Sequence, residues 1–244
     1  MPHNSGNIYS KLMNKYRNIR NHIQYKGLAF FLATKLYDRY YQIKFKQKGI
    51  THGFGKNELD ETIAHSAHKD AHENQPSSFY ALREGFRQTK LACVDIALID
   101  IGCGDGRVMN YGMQLNFKKV IGIDLNRTAL QKAECNCIKM KQSGSKTQFH
   151  VEYADAVYFN IPADVNLVYL FNPFGKKTME EFAHNLISHI QRLGHDIYIV
   201  YCIPSFKEVF EAYPGSTKIF ESLNNEGSHV YMSIFRMRKY ATIL

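Results

Sequence analysis

Three glycines at alternate positions, Gly102, Gly104 and Gly106, follow the apolar run Ala97-Leu98-Ile99-Asp100-Ile101, and no other stretch of the 244 residues limits the fold as tightly. Glycine at that density lets the backbone enter left-handed conformations and pass close beneath a ligand. A β-prone run that enters such a turn and leaves it as a helix is a strand–turn–helix unit. Its amide N–H groups and helix N-terminus face whatever binds there.

The alternation then repeats. Residues 97–101, 119–123, 148–153, 165–171 and 196–203 read as strands, apolar enough for burial on both faces, and 106–116, 126–142 and 176–193 read as the helices between them. Thr217–Leu223 and Ser228–Tyr240 are β-prone runs joined by Asn224-Asn225-Glu226-Gly227, with no room for a helix. They form a hairpin, so the last strand runs antiparallel to its neighbour. The polar stretch Lys56–Gln88 is broken at Pro76 and predicts two helices, about 57–73 and 77–89. The expected class is α/β: a Rossmann-like seven-stranded, mostly parallel sheet with a C-terminal antiparallel hairpin, helices on both faces and a helical N-terminal extension. The expected division is a basic extension over 1–56 and the main domain over 57–244.

The net charge of +9 is localised. Residues 1–48 hold ten Lys/Arg against one acid, Asp38, which accounts for the whole excess. Within them, Gly27–Phe45 interleaves those cations with Phe30, Phe31, Leu32, Leu36, Tyr37, Tyr40, Tyr41, Ile43 and Phe45. Such a segment suits a helix packed on the main domain, an anionic membrane surface touched peripherally, or a nucleic-acid-contacting arm. The uninterrupted apolar part, Gly27–Ala33, is far shorter than the roughly 20 residues a bilayer span requires, and it does not have the layout of a secretory signal, so a cytoplasmic location is expected. The five cysteines lack metal-ligand spacing and are expected to be reduced. His65, His68 and His72 share a helical face, and a solvated polar helix explains them more simply than a metal site.

A dinucleotide fingerprint, G-x-G-x-x-G, would need glycine at 107. Arg107 stands there, which disfavours a nicotinamide-dependent oxidoreductase. The informative feature is an ordered set: "IDIGCGDG" (99–106), "IGIDL" (121–125), "ADA" (154–156) and "LFNPFG" (170–175), followed by the closing hairpin. Over roughly residues 76–240 this set resembles the class I S-adenosylmethionine-dependent methyltransferases. The resemblance implies that Asp100, Gly102, Cys103, Gly104 and Gly106 shape the pocket for the methionine part of S-adenosyl-L-methionine, with Asp100 near its ammonium. It further implies that Asp124 holds the ribose, that Leu125 packs on the adenine and that Asp155 with Ala156 reads the adenine edge. Asn172-Pro173-Phe174-Gly175 is similar to the Asn-Pro-Pro-aromatic signature of amino methyltransferases but lacks the second proline. By that resemblance Asn172, Pro173 and Phe174 are the candidate catalytic positions, Asn172 also bordering the cofactor. The rival for this turn is an ordinary strand-to-helix connection with Asn172 as cap. The acceptor stays open among amines, sugar or lipid precursors and protein side chains. A non-catalytic nucleoside- or RNA-binding module that kept the fold is the alternative function.

Overall fold

A computed structural model describes residues 17, 19–20, 27–53, 76–224 and 227–240. The expected helix over 57–73, His65, His68 and His72 lie outside the described residues.

Helix α1 spans Leu28–Gln47 and α2 spans Phe79–Thr89. A short 3-10 turn then leads into β1, Ala97–Ile101. After it come α3 (Arg107–Gln114), β2 (Lys119–Asp124), α4 (Arg127–Gln142), β3 (Gln148–Tyr153), β4 (Leu167–Phe171), α5 (Lys176–Ile190), β5 (Ile197–Cys202), α6 (Glu208–Glu211), β6 (Ser216–Leu223) and β7 (Val230–Met237). The sheet runs β3-β2-β1-β4-β5-β7-β6. The first five strands are parallel, and β7 is antiparallel to both β5 and β6, because the hairpin folds back between them. The expected seven-stranded Rossmann-like architecture is therefore the observed one. The strand expected from Val165 begins at Leu167, and the helix expected to reach 193 ends at Ile190.

Strand alternation divides the core into two layers. From β1, Leu98 points to the face covered by α2, α3 and α4, while Ile99 and Ile101 point to the face covered by α5 and α6. All five residues of β1 are buried, as the central strand of a sheet covered on both sides demands.

Helix α1 belongs to the first layer. Phe45 and Ile50 are 1% and 2% exposed within it, and Tyr41 packs on Phe79 and Tyr111 with ring centroids 5.5 and 5.0 Å apart. Its one acid, Asp38, accepts from the Ser78 hydroxyl and the Tyr80 N–H, both at 3.0 Å, so a carboxylate sits at the N-terminus of α2 where the helix dipole favours it. Beyond α1, residues 48–53 strap across α3 and α4. Lys48 Nζ donates to Gln114, Lys139 Nζ donates to the Gly49 carbonyl and Asn136 Nδ2 donates to the Thr51 carbonyl. These contacts pack one face of the segment against the main domain.

Candidate functional site

The carboxyl ends of β1, β2 and β4 and the glycine turn converge on one rim. Gly102, Gly104 and Gly106 have φ of +75°, +51° and +79°, a region side chains resist. The reasons differ. A Cβ on Gly106 would come within 3.0 Å of the Ala133 Cβ, so this glycine lets α3 lie against α4. A Cβ on Gly102 would lie 3.6 Å from the Pro173 Cβ, which places the glycine turn directly against the Asn-Pro-Phe turn.

The turn is clamped to β2. Gly102 and Cys103 both donate their N–H to the Ile123 carbonyl, and Gly104 N–H donates to Asp124 Oδ2 at 2.8 Å. The other carboxylate oxygen, Oδ1, accepts from Asn126 N–H at 2.8 Å. Asp124 thus holds the loop in shape. Burial raises its pKa above the usual carboxylate range, opposed by these N–H donors. Leu125 beside it is half-buried.

Asp100 is the floor. It is 2% exposed, and its Oδ2 is buried without a hydrogen-bond partner. Burial, reinforced by the Asp124 charge, pushes its pKa well up. A small cavity over it is lined by Gly102, Cys103, Arg107 and Tyr169 from the sheet and loop, and by His52, Gly53, Pro76 and Ser77 from the N-terminal region. Arg107 opens α3 with a mostly desolvated guanidinium. One nitrogen donates to the Ser77 carbonyl at 2.9 Å, the group lies 4.8 Å from the centroid of Phe79, and Nε–H is buried without an acceptor. An unmet acceptor and an unmet cationic donor therefore border the same space.

The roof is tied down by polar contacts. Gly53 N–H donates to Asp105 Oδ2 at 3.0 Å, His52 Nε2 lies 2.8 Å from Asn110 Oδ1, and the Tyr169 hydroxyl donates to Ser77 Oγ at 2.7 Å. Burial drives the His52 pKa down to about 4, so the ring is neutral at physiological pH. Burial raises the Cys103 thiol and the Tyr169 hydroxyl well above their ordinary values, so neither supplies an anion.

After β4, Asn172 takes φ +41° and Pro173 follows. Gly175 occupies the N-cap position of helix α5 and has no side chain to bond there. Phe174 is 7% exposed and packs 6.1 Å from Phe182, so its ring belongs to the core below the rim. Asp155 stands after β3, its Oδ1 accepting from Val157 N–H at 2.9 Å, and Ala156 is buried beside it. The cavity-lining residues Gly102, Cys103 and Asp100 are joined by the clamp residues Gly104 and Asp124; Asp155 and Ala156 follow β3, with β2 and β1 between it and the strand that Asn172 follows.

Sequence reasoning missed His52, Ser77 and Tyr169, which lie away from the glycine turn, and gave no role to Asp105, which lies within it. It used Arg107 only to exclude a dinucleotide. It also missed Ile203, which directly follows Cys202, the register partner of Phe171, and so sits beside Asn172 with φ +49°. A β-branched residue in that region is strained, and strain of this kind collects at functional rims.

A methyltransferase-domain family model matches residues 98–194. No curated protein matches the chain. Among solved structures, a candidate RNA methyltransferase from Pyrococcus horikoshii aligns at 16% identity over 81% of this chain and 96% of its own, with a TM-score of 0.53. A candidate methyltransferase from Escherichia coli aligns at 16% identity over 70% and 91%, with a TM-score of 0.52. A candidate methylase from Haemophilus influenzae aligns at 17% identity over 66% and 99%, with a TM-score of 0.51. At these identities the likeness is one of fold.

Proposed function

We propose that this chain, whose residues 98–194 match a methyltransferase-domain model, is a class I S-adenosylmethionine-dependent methyltransferase that transfers a methyl group from S-adenosylmethionine to an amino group held at Asn172. The observation that carries the cofactor reading is the pair of unmet groups over the glycine turn. Asp100 Oδ2 is a buried acceptor with no donor, and Arg107 Nε–H is a buried donor with no acceptor. An α-amino acid moiety supplies an ammonium for the first and a carboxylate for the second. The residues present fit that group.

S-adenosylmethionine supplies an electrophilic methyl carbon on a sulfonium. The chain's own residues bind and orient. The Gly102–Gly106 turn leaves space for the methionine part, and Asp124 retains a lone pair on each oxygen for the ribose hydroxyls after accepting the Gly104 and Asn126 N–H groups. In this reading Asp155 and Ala156, after β3, read the adenine edge. The Asn172 side-chain oxygen and the carbonyl of Pro173, next to Gly102, accept the two hydrogens of an amine and leave its lone pair for the methyl carbon. A neutral amine needs little acid–base help, so placement and exclusion of water carry most of the acceleration. His52, Gly53, Pro76 and Ser77 close over a narrow cavity, so their displacement accompanies cofactor entry.

Isothermal titration with S-adenosylmethionine and S-adenosylhomocysteine tests the cofactor reading, and absence of heat from both at sub-millimolar concentration defeats it. Methyl transfer from labelled donor to amine-bearing fractions tests the acceptor reading. There Asn172→Ala keeps cofactor affinity and lowers turnover about a hundredfold, the scale expected when an orienting group is lost. An unchanged saturated rate removes Asn172 from the chemistry.

A further inference from the structure

Helix α1 has two faces, and among the described residues only one is packed against the rest of the fold. Toward the core it sends Tyr37, Tyr41 and Phe45, and Asp38 toward α2. Away from the core it presents Leu28, Leu32, Leu36, Tyr40 and Ile43, all large, apolar and between 43% and 69% exposed. At 3.6 residues per turn these five fall within a stripe roughly 120° wide, centred opposite the packed face. Exposed apolar side chains scattered singly need no explanation, but five in one continuous stripe do.

The stripe has a charged border. On the same wheel Lys35 and Lys46 lie along one edge with Arg39 just inside it, and Lys44 lies beyond the other. The helix's single acid, Asp38, faces inward and is engaged with Ser78 and Tyr80. The outer face is thus apolar in the middle, cationic at its margins and free of acid. We infer that this face of α1 lies on an anionic membrane surface, its apolar residues among the headgroups and its cations on lipid phosphates. Among the described residues no helix is long and apolar enough to cross a bilayer, so the contact is peripheral.

The chemistry of the face separates this occupant from two others. A second copy of the helix across a two-fold axis would set Lys35, Arg39, Lys44 and Lys46 against their own kind with no acid to pair them. An RNA strand would use the cations and stack on Tyr40, but Leu28, Leu32, Leu36 and Ile43 offer it nothing. Lipid uses both components.

The test uses the full chain in flotation with vesicles of phosphatidylcholine alone and of phosphatidylcholine mixed with phosphatidylglycerol. Partition onto the anionic vesicles is expected to exceed that onto neutral ones by about tenfold or more at low salt and to fall as salt screens the charges. A triple variant, Leu32→Gln with Leu36→Gln and Ile43→Gln, and another, Lys35→Gln with Arg39→Gln and Lys46→Gln, each lose about tenfold while melting near the wild-type temperature, since these side chains touch no core. The chain has no tryptophan, so Leu36→Trp installs a sole indole whose emission shifts to the blue on anionic vesicles, whatever the triple variants do. Four outcomes overturn the inference: no partition of the full chain onto anionic vesicles, undiminished partition of the apolar triple variant, a wild-type dimer in sedimentation that the apolar variant abolishes, or RNA binding that only the charge variant loses.

Discussion

At the scale of single residues, two groups at the rim are held in states that the fold alone would avoid. Asp100 is a buried carboxyl whose pKa is raised by burial and by Asp124. Its folded value exceeds its unfolded one, so the ligand-free protein loses stability as pH rises from the ordinary carboxylate range through the raised value. An ammonium on Oδ2 reverses that by favouring the charged form, so cofactor affinity should climb over the same window. Asp100→Asn should stabilise the ligand-free protein, weaken cofactor binding by roughly tenfold to a hundredfold, the scale of a lost hydrogen bond to a charged group, and flatten the pH dependence. Titration calorimetry across pH reads all but the stability, and an unchanged slope in the variant would remove Asp100 from contact with the cofactor. Ile203 is the second such group. Its left-handed backbone costs about 1–2 kcal/mol, and Asn tolerates that region better. Ile203→Asn should therefore raise the unfolding free energy by about 1 kcal/mol in urea melts while lowering turnover. A destabilised variant would mean that the half-exposed side chain contributes more than the strain removes.

At the scale of elements, legibility in the sequence follows contact distance. Strands β1, β2, β4 and β5 could be read because their apolar runs record burial on two faces, whereas β3, at the sheet edge, alternates exposed with half-buried residues and was legible from its β-prone residues alone. The glycine turn, Asp124 and the Asn-Pro-Phe turn could be read because each motif is local to one strand end. The roof could not, because His52 and Ser77 reach the cavity through contacts with Asn110 and Tyr169, 58 and 92 residues away. No periodicity in residues 48–53 announces that strap. The packing of α1 was hidden for another reason: its aromatic residues occupy both faces, so the pattern did not say which would be covered. The structure makes Phe45 part of the core, stacked 5.4 Å from Phe79 and 1% exposed. Phe45→Ala should cost about 3–5 kcal/mol, measured by denaturant unfolding, and removal of residues 1–48 should cost more. A loss below about 1 kcal/mol would show that α1 is an appendage whose contacts the domain does not need.

At the scale of the whole molecule, groups titrating in opposite directions meet around one cavity. Asp100 and Asp124 have folded pKa values above their unfolded ones, so between the two values the folded protein binds protons more readily and they favour it as pH falls. His52 works the other way. Its folded value of about 4 lies below the ordinary 6.5, the unfolded chain takes up the proton first, and stability drains away as pH falls through that interval. The cause is burial of the ring beside Phe45 and Phe79, with the Arg107 charge adding to it and the hydrogen bond to Asn110 opposing it. Because His52 sits on the strap that roofs the cavity, protonation should loosen the segment that joins α1 to the glycine turn through Gly53 and Asp105. Replacing it by a residue that keeps a hydrogen bond to Asn110 without titrating isolates this contribution. His52→Gln should change stability modestly at pH 7 and recover about 2 kcal/mol relative to wild type at pH 5, one pKa unit being worth about 1.4 kcal/mol. Urea unfolding at the two pH values gives the comparison. Parallel loss in both proteins would place the acid sensitivity elsewhere, and a larger loss in the variant would mean that the charged imidazole is tolerated in its pocket.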